Sequence, residues 1–86
     1  MTTINKEVTF TRIKNDTNGN PRYVCHYLVF NTDYVSACKL ANTIGGRKFH
    51  NKQYGGGIVF SSYNINELCK HIERVAVINI TSITID

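Results

Sequence analysis

The amino-acid sequence predicts an α+β fold: one compact domain over residues 1–86, with elements in the order ββαββαβ, an antiparallel sheet and two helices packed on one face of it. Three observations predict this. Alternating apolar residues flank an Asn18-Gly19 pair near the N-terminus, two later segments repeat apolar residues at helical spacing, and the C-terminal run is rich in β-branched residues. A chain of 86 residues holds one hydrophobic core, and its 42% hydrophobic and 19% charged residues, with five Tyr, four Phe and one Pro, suit an ordered globular domain.

The first two strands are read from the stretches Glu7–Lys14 and Arg22–Phe30, separated by Asn15-Asp16-Thr17-Asn18-Gly19-Asn20-Pro21. Asn18-Gly19 suits a two-residue type I′ turn, because both residues tolerate positive φ. That turn would set Ile13 against Val24, Thr11 against His26 and Thr9 against Leu28 on one face. The other face would pair Lys14 with Tyr23, Arg12 with Cys25, Phe10 with Tyr27 and Val8 with Val29. Both faces are partly apolar. Since buried aromatics are commoner than exposed ones, Phe10, Tyr27, Val8 and Val29 are assigned to the core face, leaving Thr9, Thr11 and His26 outside.

A helix over Asp33–Ile44 follows from Tyr34, Ala37, Cys38, Ala41 and Ile44 on one face, with Thr32 or Asp33 as N-cap and Gly45 as terminator. A second hairpin comes next: a strand at Arg47–His50, a polar turn near Asn51–Gln53, and a strand from Gly57 to Tyr63. The run Gly55-Gly56-Gly57 is costly inside a strand and implies a β-bulge or a close backbone approach to another chain. Asn64 and Glu67 form a capping box for a second helix, Tyr63 and Leu68 its hydrophobic staple, and Ile65, Leu68, Cys69, Ile72 and Ala76 its buried stripe. In the last strand the apolar phase slips between Ile80 and Ile83, which implies a bulge or a departure from the sheet after Thr81.

Catalytic and metal chemistry find little support. Cys25 and His26 are adjacent in a strand and point to opposite faces, and Cys69 and His71 diverge on a helix, so neither pair makes a thiolate and its base. Cys25, Cys38 and Cys69 are too widely spaced for a zinc site and read as reduced, buried residues, and the glycines match no nucleotide-binding motif. The expectation is a protein that is not an enzyme and uses no cofactor or metal. No apolar run is long enough to span a membrane, and Met1-Thr2-Thr3 lacks signal-peptide features, so a cytoplasmic location without membrane contact is expected.

The formal net charge is +4, and its placement is more informative than its size. No acid lies between Asp33 and Glu67, a window that contains Lys39, Arg47, Lys48 and Lys52. The second hairpin concentrates Arg47, Lys48, His50, Lys52 and Tyr54, and the first offers Arg12, Lys14, Arg22 and Tyr23 near its turn. Cations neutralise phosphates and tyrosine rings stack on bases, so these nine residues are the candidate surface for a protein or nucleic-acid partner. Gly45-Gly46 beside Arg47 and Lys48 has two readings, an anion-binding nest or simply the end of a helix.

The segments Arg12-Ile13-Lys14-Asn15-Asp16, Asn18-Gly19-Asn20-Pro21-Arg22-Tyr23-Val24, Gly45-Gly46-Arg47-Lys48-Phe49 and Tyr54-Gly55-Gly56-Gly57-Ile58-Val59-Phe60-Ser61-Ser62-Tyr63-Asn64 resemble small proteins of bacteriophages and prophages, over about residues 11–64. The resemblance brings no catalytic or binding residue with it. It implies a setting, the bacterial host, in which short phage proteins often bind a host machine. The leading expectation is an inhibitor of a bacterial defence complex, of the anti-CRISPR kind, acting on an effector protein or ribonucleoprotein. Direct nucleic-acid binding is the second, and an oligomerising protein that uses an exposed sheet edge the third.

Overall fold

The computed structural model of the chain describes residues 3–51 and 55–86. The alternating N-terminal stretches form β1 (Ile4–Ile13) and β2 (Arg22–His26), the first helical segment forms α1 (Tyr34–Asn42), and the second hairpin forms β3 (Arg47–Asn51) and β4 (Gly55–Ser61). The capped segment forms α2 (Ile65–Ala76), and the β-branched run forms β5 (Ile78–Ile85). One five-stranded sheet results, in the order β3-β4-β2-β1-β5.

The sheet is mixed, which corrects the antiparallel expectation. β1–β2, β2–β4 and β3–β4 are antiparallel, but β5 lies parallel to β1. The cause is the helical crossover: β4 runs in the same direction as β1, and α2 carries the chain back so that β5 enters in that direction again.

The first hairpin keeps its expected faces but not its register. Thr11 lies opposite Val24, Arg12 opposite Tyr23 and Ile13 opposite Arg22, a slip of two residues that leaves the side chains of the paired residues on their own sides. Residues 14–21 form a longer loop in place of the type I′ turn, because the Asp16 carboxylate takes the backbone N–H groups. Its Oδ1 accepts from Asn18 N at 2.9 Å and Asn20 N at 2.8 Å, and the Asp16 carbonyl accepts from Gly19 N at 3.0 Å. Only Gly19 of the Asn-Gly pair takes a positive φ, +85°.

β2 also ends earlier than its apolar run suggests. Tyr27–Phe30 is a single 3₁₀ turn, begun where His26 Nδ1 accepts the Leu28 N–H at 3.2 Å. The turn exposes Leu28 and sends Val29 and Phe30 inward. The expected pairs beyond Thr11, from Phe10–Tyr27 to Val8–Val29, are therefore absent from the ladder.

Both predicted N-caps form, but the capping box of α2 is only half made, since the Asn64 N–H donates to Ser62 Oγ at 3.2 Å and not to Glu67. Asp33 accepts from Ser36 N at 2.9 Å, and Asn64 accepts from Glu67 N at 3.1 Å. Tyr63 does not act as a staple: it is 72% exposed, and its hydroxyl donates to the Gly19 carbonyl at 2.9 Å, tying the start of α2 to the hairpin loop. α1 closes with Gly46 N donating to the Ala41 carbonyl at 2.8 Å and Gly45, at φ +85°, donating to Asn42, a Schellman ending.

The helices cover one face of the sheet. Val8, Phe10, Cys25, Ile58 and Phe60 of the strands meet Phe30, Ala37, Ala41, Leu68, Cys69 and Ile72 in the core. The phase slip in β5 is a bulge at Thr81, since Ile80 pairs with Lys6 and Ser82 with Glu7, and the strand continues to Ile85.

The glycines of the second hairpin serve close approach, though to this chain's own atoms. A Cβ on Gly56 would lie 2.9 Å from the Tyr27 ring and 3.0 Å from the Tyr34 ring. One on Gly57 would meet Val24 Cγ1 at 3.1 Å and the Phe49 carbonyl at 3.2 Å, and Gly55 takes φ +62°. The tightest position is Gly46, where a Cβ would stand 2.5 Å from the Phe60 ring and 2.9 Å from Ala41 Cβ. Gly46→Ala should therefore destabilise the fold by about 2 kcal/mol, the scale of overpacking in a rigid core, as measured by urea unfolding. An unchanged midpoint would mean that Phe60 yields freely.

Candidate nucleic-acid interface

Three adjacent strands, β2, β3 and β4, contain no Asp or Glu and carry Arg22, His26, Arg47, Lys48 and His50. Strand alternation sorts these residues between the two faces. Ile58 and Phe60 face the helices, so their ladder partners Lys48, Cys25 and Tyr23 project to that side. Val59 faces the open side, with Arg47 on one flank and the buried Val24 on the other. Arg22, opposite Ser61, joins them there, and so do Phe49 and His26, which flank Gly57.

Of the nine sequence candidates, the fold brings Arg22 and Arg47 together. They line one open cleft, whose other walls are Val59, Ser61, Asn18 and Asp16. Arg22 is braced, its Nε donating to the Lys14 carbonyl at 2.6 Å, which leaves the two terminal nitrogens of its guanidinium outward. Arg47 forms no ion pair among the described residues. On the helix side, Lys48 and Arg47 border a second depression with Lys39, Cys38 and Gly46. His50 lies on that same side, 6.4 Å from the Tyr34 ring between centroids.

The remaining candidates are elsewhere. Arg12 and Tyr23 stand at the same loop end of the hairpin as Arg22 but project on the helix side, the guanidinium carbon 5.6 Å from the Tyr23 ring centre. Arg12 also donates to the Ile13 carbonyl and to Asn15 Oδ1. Tyr23 is half-buried, edge-on to Phe10 at 6.2 Å, so its ring serves the core and offers no platform to a base. β1 and β3 are three strand spacings apart, about 14 Å, so Arg12 and Lys48 belong to separate surfaces. Lys14 sits in the loop that follows β1. Lys52 and Tyr54 lie outside the described residues.

Sequence reasoning counted Lys39 in the acid-free window but left it out of the candidate surface, and missed Val59 and Phe49 as neighbours of the cations. The parity of β3 and β4 could have found Val59 and Phe49, since both share the phase of Arg47. The nest reading of Gly45-Gly46 is removed by the Schellman ending, which commits both N–H groups to α1 carbonyls. Cys25 is turned into the core, where burial pushes its thiol up to about 12, while His26 is exposed on the other face. Burial likewise raises Cys69, to about 11. Among the described residues no three His, Cys, Asp or Glu side chains come together.

Asp16 is the one carboxylate in the cleft wall. The Asn20 N–H, followed by the Asn20 side chain, the Asn18 N–H and the Ser61 hydroxyl, holds its carboxyl below the usual carboxylate range. Its charge is thus spent on shaping the loop beside Arg22.

These features define a class: a small α+β domain with two helices on one face of a five-stranded mixed sheet and a carboxylate-free, cationic region across three of its strands. A family model for the Staphylococcus phage terminal repeat-encoded protein TreK matches residues 1–80, and the chain belongs to that family. It is a phage protein, as the resemblance over residues 11–64 implied. Comparison with curated proteins and with solved structures returned no match. No helix among the described residues is long and apolar enough to cross a membrane.

Because the folded state depresses the Asp16 pKa, its charge adds stability above the unfolded value near 4, and that stability is lost as pH falls through the folded value. Asp16→Asn keeps the Oδ1 acceptor and removes the charge together with the second oxygen, which accepts from the Asn20 side chain. The variant should be less stable than the parent at neutral pH, and the gap should narrow as pH falls through the folded Asp16 value, as followed by thermal melts across pH. A gap that stays constant over that range would show that the charge is not what holds the loop.

Proposed function

We propose that the protein is a non-enzymatic phage inhibitor that binds a bacterial defence complex in the host cytoplasm, in the manner of an anti-CRISPR protein. It would act by laying the carboxylate-free region of its sheet on the nucleic acid of a host ribonucleoprotein. The observation that carries this reading is the convergence of Arg22 and Arg47 on the open face, beside three strands without a single Asp or Glu. Such a surface attracts phosphates, and no acid on those strands opposes them. Membership of a terminal repeat-encoded phage family supplies the phage setting that this reading assumes. A basic surface cannot imitate DNA, so inhibition would proceed by covering nucleic acid or blocking its entry.

A second reading, direct binding to free nucleic acid, is favoured by the placement of Phe49 and His26 on either side of Gly57. The ladder there carries rings on both flanks of a position without a side chain. Free binding would be strongly salt-dependent, and removing one phosphate-binding cation would lower the slope of log affinity against log salt by about one.

The two readings separate in one experiment. The protein is titrated into a staphylococcal CRISPR ribonucleoprotein and, in parallel, into a plain oligonucleotide, with target-DNA binding as the readout. Inhibition at equimolar protein, weakened about tenfold or more by the Arg22→Ala/Arg47→Ala pair, is expected. Tight binding to the oligonucleotide without inhibition would replace the first reading with the second. Absence of both would overturn each of them.

A further inference from the structure

The two edges of the sheet are chemical opposites. β3 exposes Arg47, Lys48 and His50, whereas β5, Ile78-Asn79-Ile80-Thr81-Ser82-Ile83-Thr84-Ile85, holds no charged residue and no proline. Edge strands present unpaired backbone groups and are commonly blunted by charges, proline, bulges or a covering side chain. The first half of β5 is blunted in two of these ways. Glu73 of α2 reaches down so that its Oε2 accepts the Ile80 N–H at 2.9 Å, and Thr81 is bulged. Beyond the bulge the protection stops. Ser82 to Ile85 pair with β1 on their inner side, and no element among the described residues pairs with their outer side.

An apolar shelf lies at the same place. Ile83 and Ile85 are ladder partners of Val8 and Phe10, which are 1% and 0% exposed, yet the two isoleucines are 39% and 48% exposed. α2 covers the first half of β5, where Ile78 is buried, and leaves the second half open, so the apolar face of the sheet runs on past its cover. A free backbone edge and uncovered isoleucines thus coincide over four residues.

We propose that this edge pairs with a second copy of the chain, β5 against β5, antiparallel about a two-fold axis. Thr84 would face Thr84, and Ile83 of each copy would face Ile85 of the other, so that four isoleucines form one patch on the helix side. Charge permits this occupant: in that register the charged residue of the contact, Asp86, faces Ser82 of the other copy, so no like charges stand opposite one another across the pair. A two-fold contact requires a self-complementary patch, and the alternation Ser82-Ile83-Thr84-Ile85 supplies one, apolar on one side and hydroxyl-bearing on the other. The product is a continuous ten-stranded sheet whose basic β3 edges stand nine strand spacings apart, about 43 Å. Two cationic regions on one surface would let a dimer hold a long polyanion at two points.

Sedimentation and light scattering from about 1 to about 200 µM test this pairing. The parent protein should shift from monomer to dimer over that range. Ile83→Lys should remain monomeric at the top of it while keeping the parent circular dichroism spectrum. Should that variant fail to fold, Thr84→Cys in a Cys38→Ser background should cross-link to a dimer under mild oxidation, because self-opposed residues lie within disulfide reach, while Ser82→Cys should not. A parent that stays monomeric, a folded Ile83→Lys that still dimerises, or a Thr84→Cys protein that does not cross-link would each overturn the proposal. The Arg22→Ala/Arg47→Ala pair should dimerise like the parent, so this result stands apart from the polyanion-binding reading.

Discussion

The contact of the Phe60 ring with Gly46 is the constraint from which the rest of the molecule follows. Phe60 stands in β4, stacked on Phe30 with centroids 6.4 Å apart, and the chain leaving α1 must pass directly against it. Only a residue without a Cβ fits, and its fit sets where β3 begins. One residue on, Arg47 is delivered to the open face and Lys48 to the helix side. Along the same pair of strands, Gly56 admits the Tyr27 and Tyr34 rings on one side, and Gly57 admits Val24 on the other. These glycines lose more chain entropy on folding than other residues would, a cost of about 0.5–1 kcal/mol each. Dense packing of aromatic rings offsets it, and the result is a cationic hairpin held rigidly on a hydrophobic base.

Legibility in the sequence followed the locality of the forces. The helices and the place of their caps could be read directly, since each depends on residues within a turn or two, whereas the phase slip in β5 left a bulge and a departure from the sheet both open. The faces of the first hairpin were also legible, because side-chain alternation survives a two-residue slip. Its register was not. The Asn18-Gly19 pair suggested a tight turn, but the outcome was decided by Asp16, whose carboxylate competes for the same N–H groups. Tyr27-Leu28-Val29-Phe30 has strand-like composition and still coils into a 3₁₀ turn, because His26 caps it and Phe30 must reach the core. The direction of β5 depends on which strand it meets after a helical crossover, and no local signal records that.

The candidate surface was legible as charge and illegible as geometry. An acid-free window places cations on β3, but neighbours in a strand point to opposite faces. Arg47 and Lys48 therefore leave the strand on opposite faces and share only the depression beside Lys39, while Arg22, twenty-five positions earlier than Arg47, joins it in the open cleft. Tyr23 looked like a stacking platform and is half-buried against Phe10. Acids are present on α2, with Glu67 and Glu73, and on β1, with Glu7, so the charge asymmetry of the sequence becomes an asymmetry of position in the fold. A polyanion would meet β2, β3 and β4, and the uncharged β5 edge lies at the opposite limit of the sheet.

The most direct measurement is a map of backbone amide shifts in labelled protein as a short single-stranded oligonucleotide is added at low salt. The largest changes are expected at Arg22, His26, Arg47 and Val59, on the open face of β2, β3 and β4, with little change on α2. Changes concentrated at Asn66, Lys70 and Arg74, on the exposed face of α2, would contradict this placement, since the helix would then be the polyanion-binding surface.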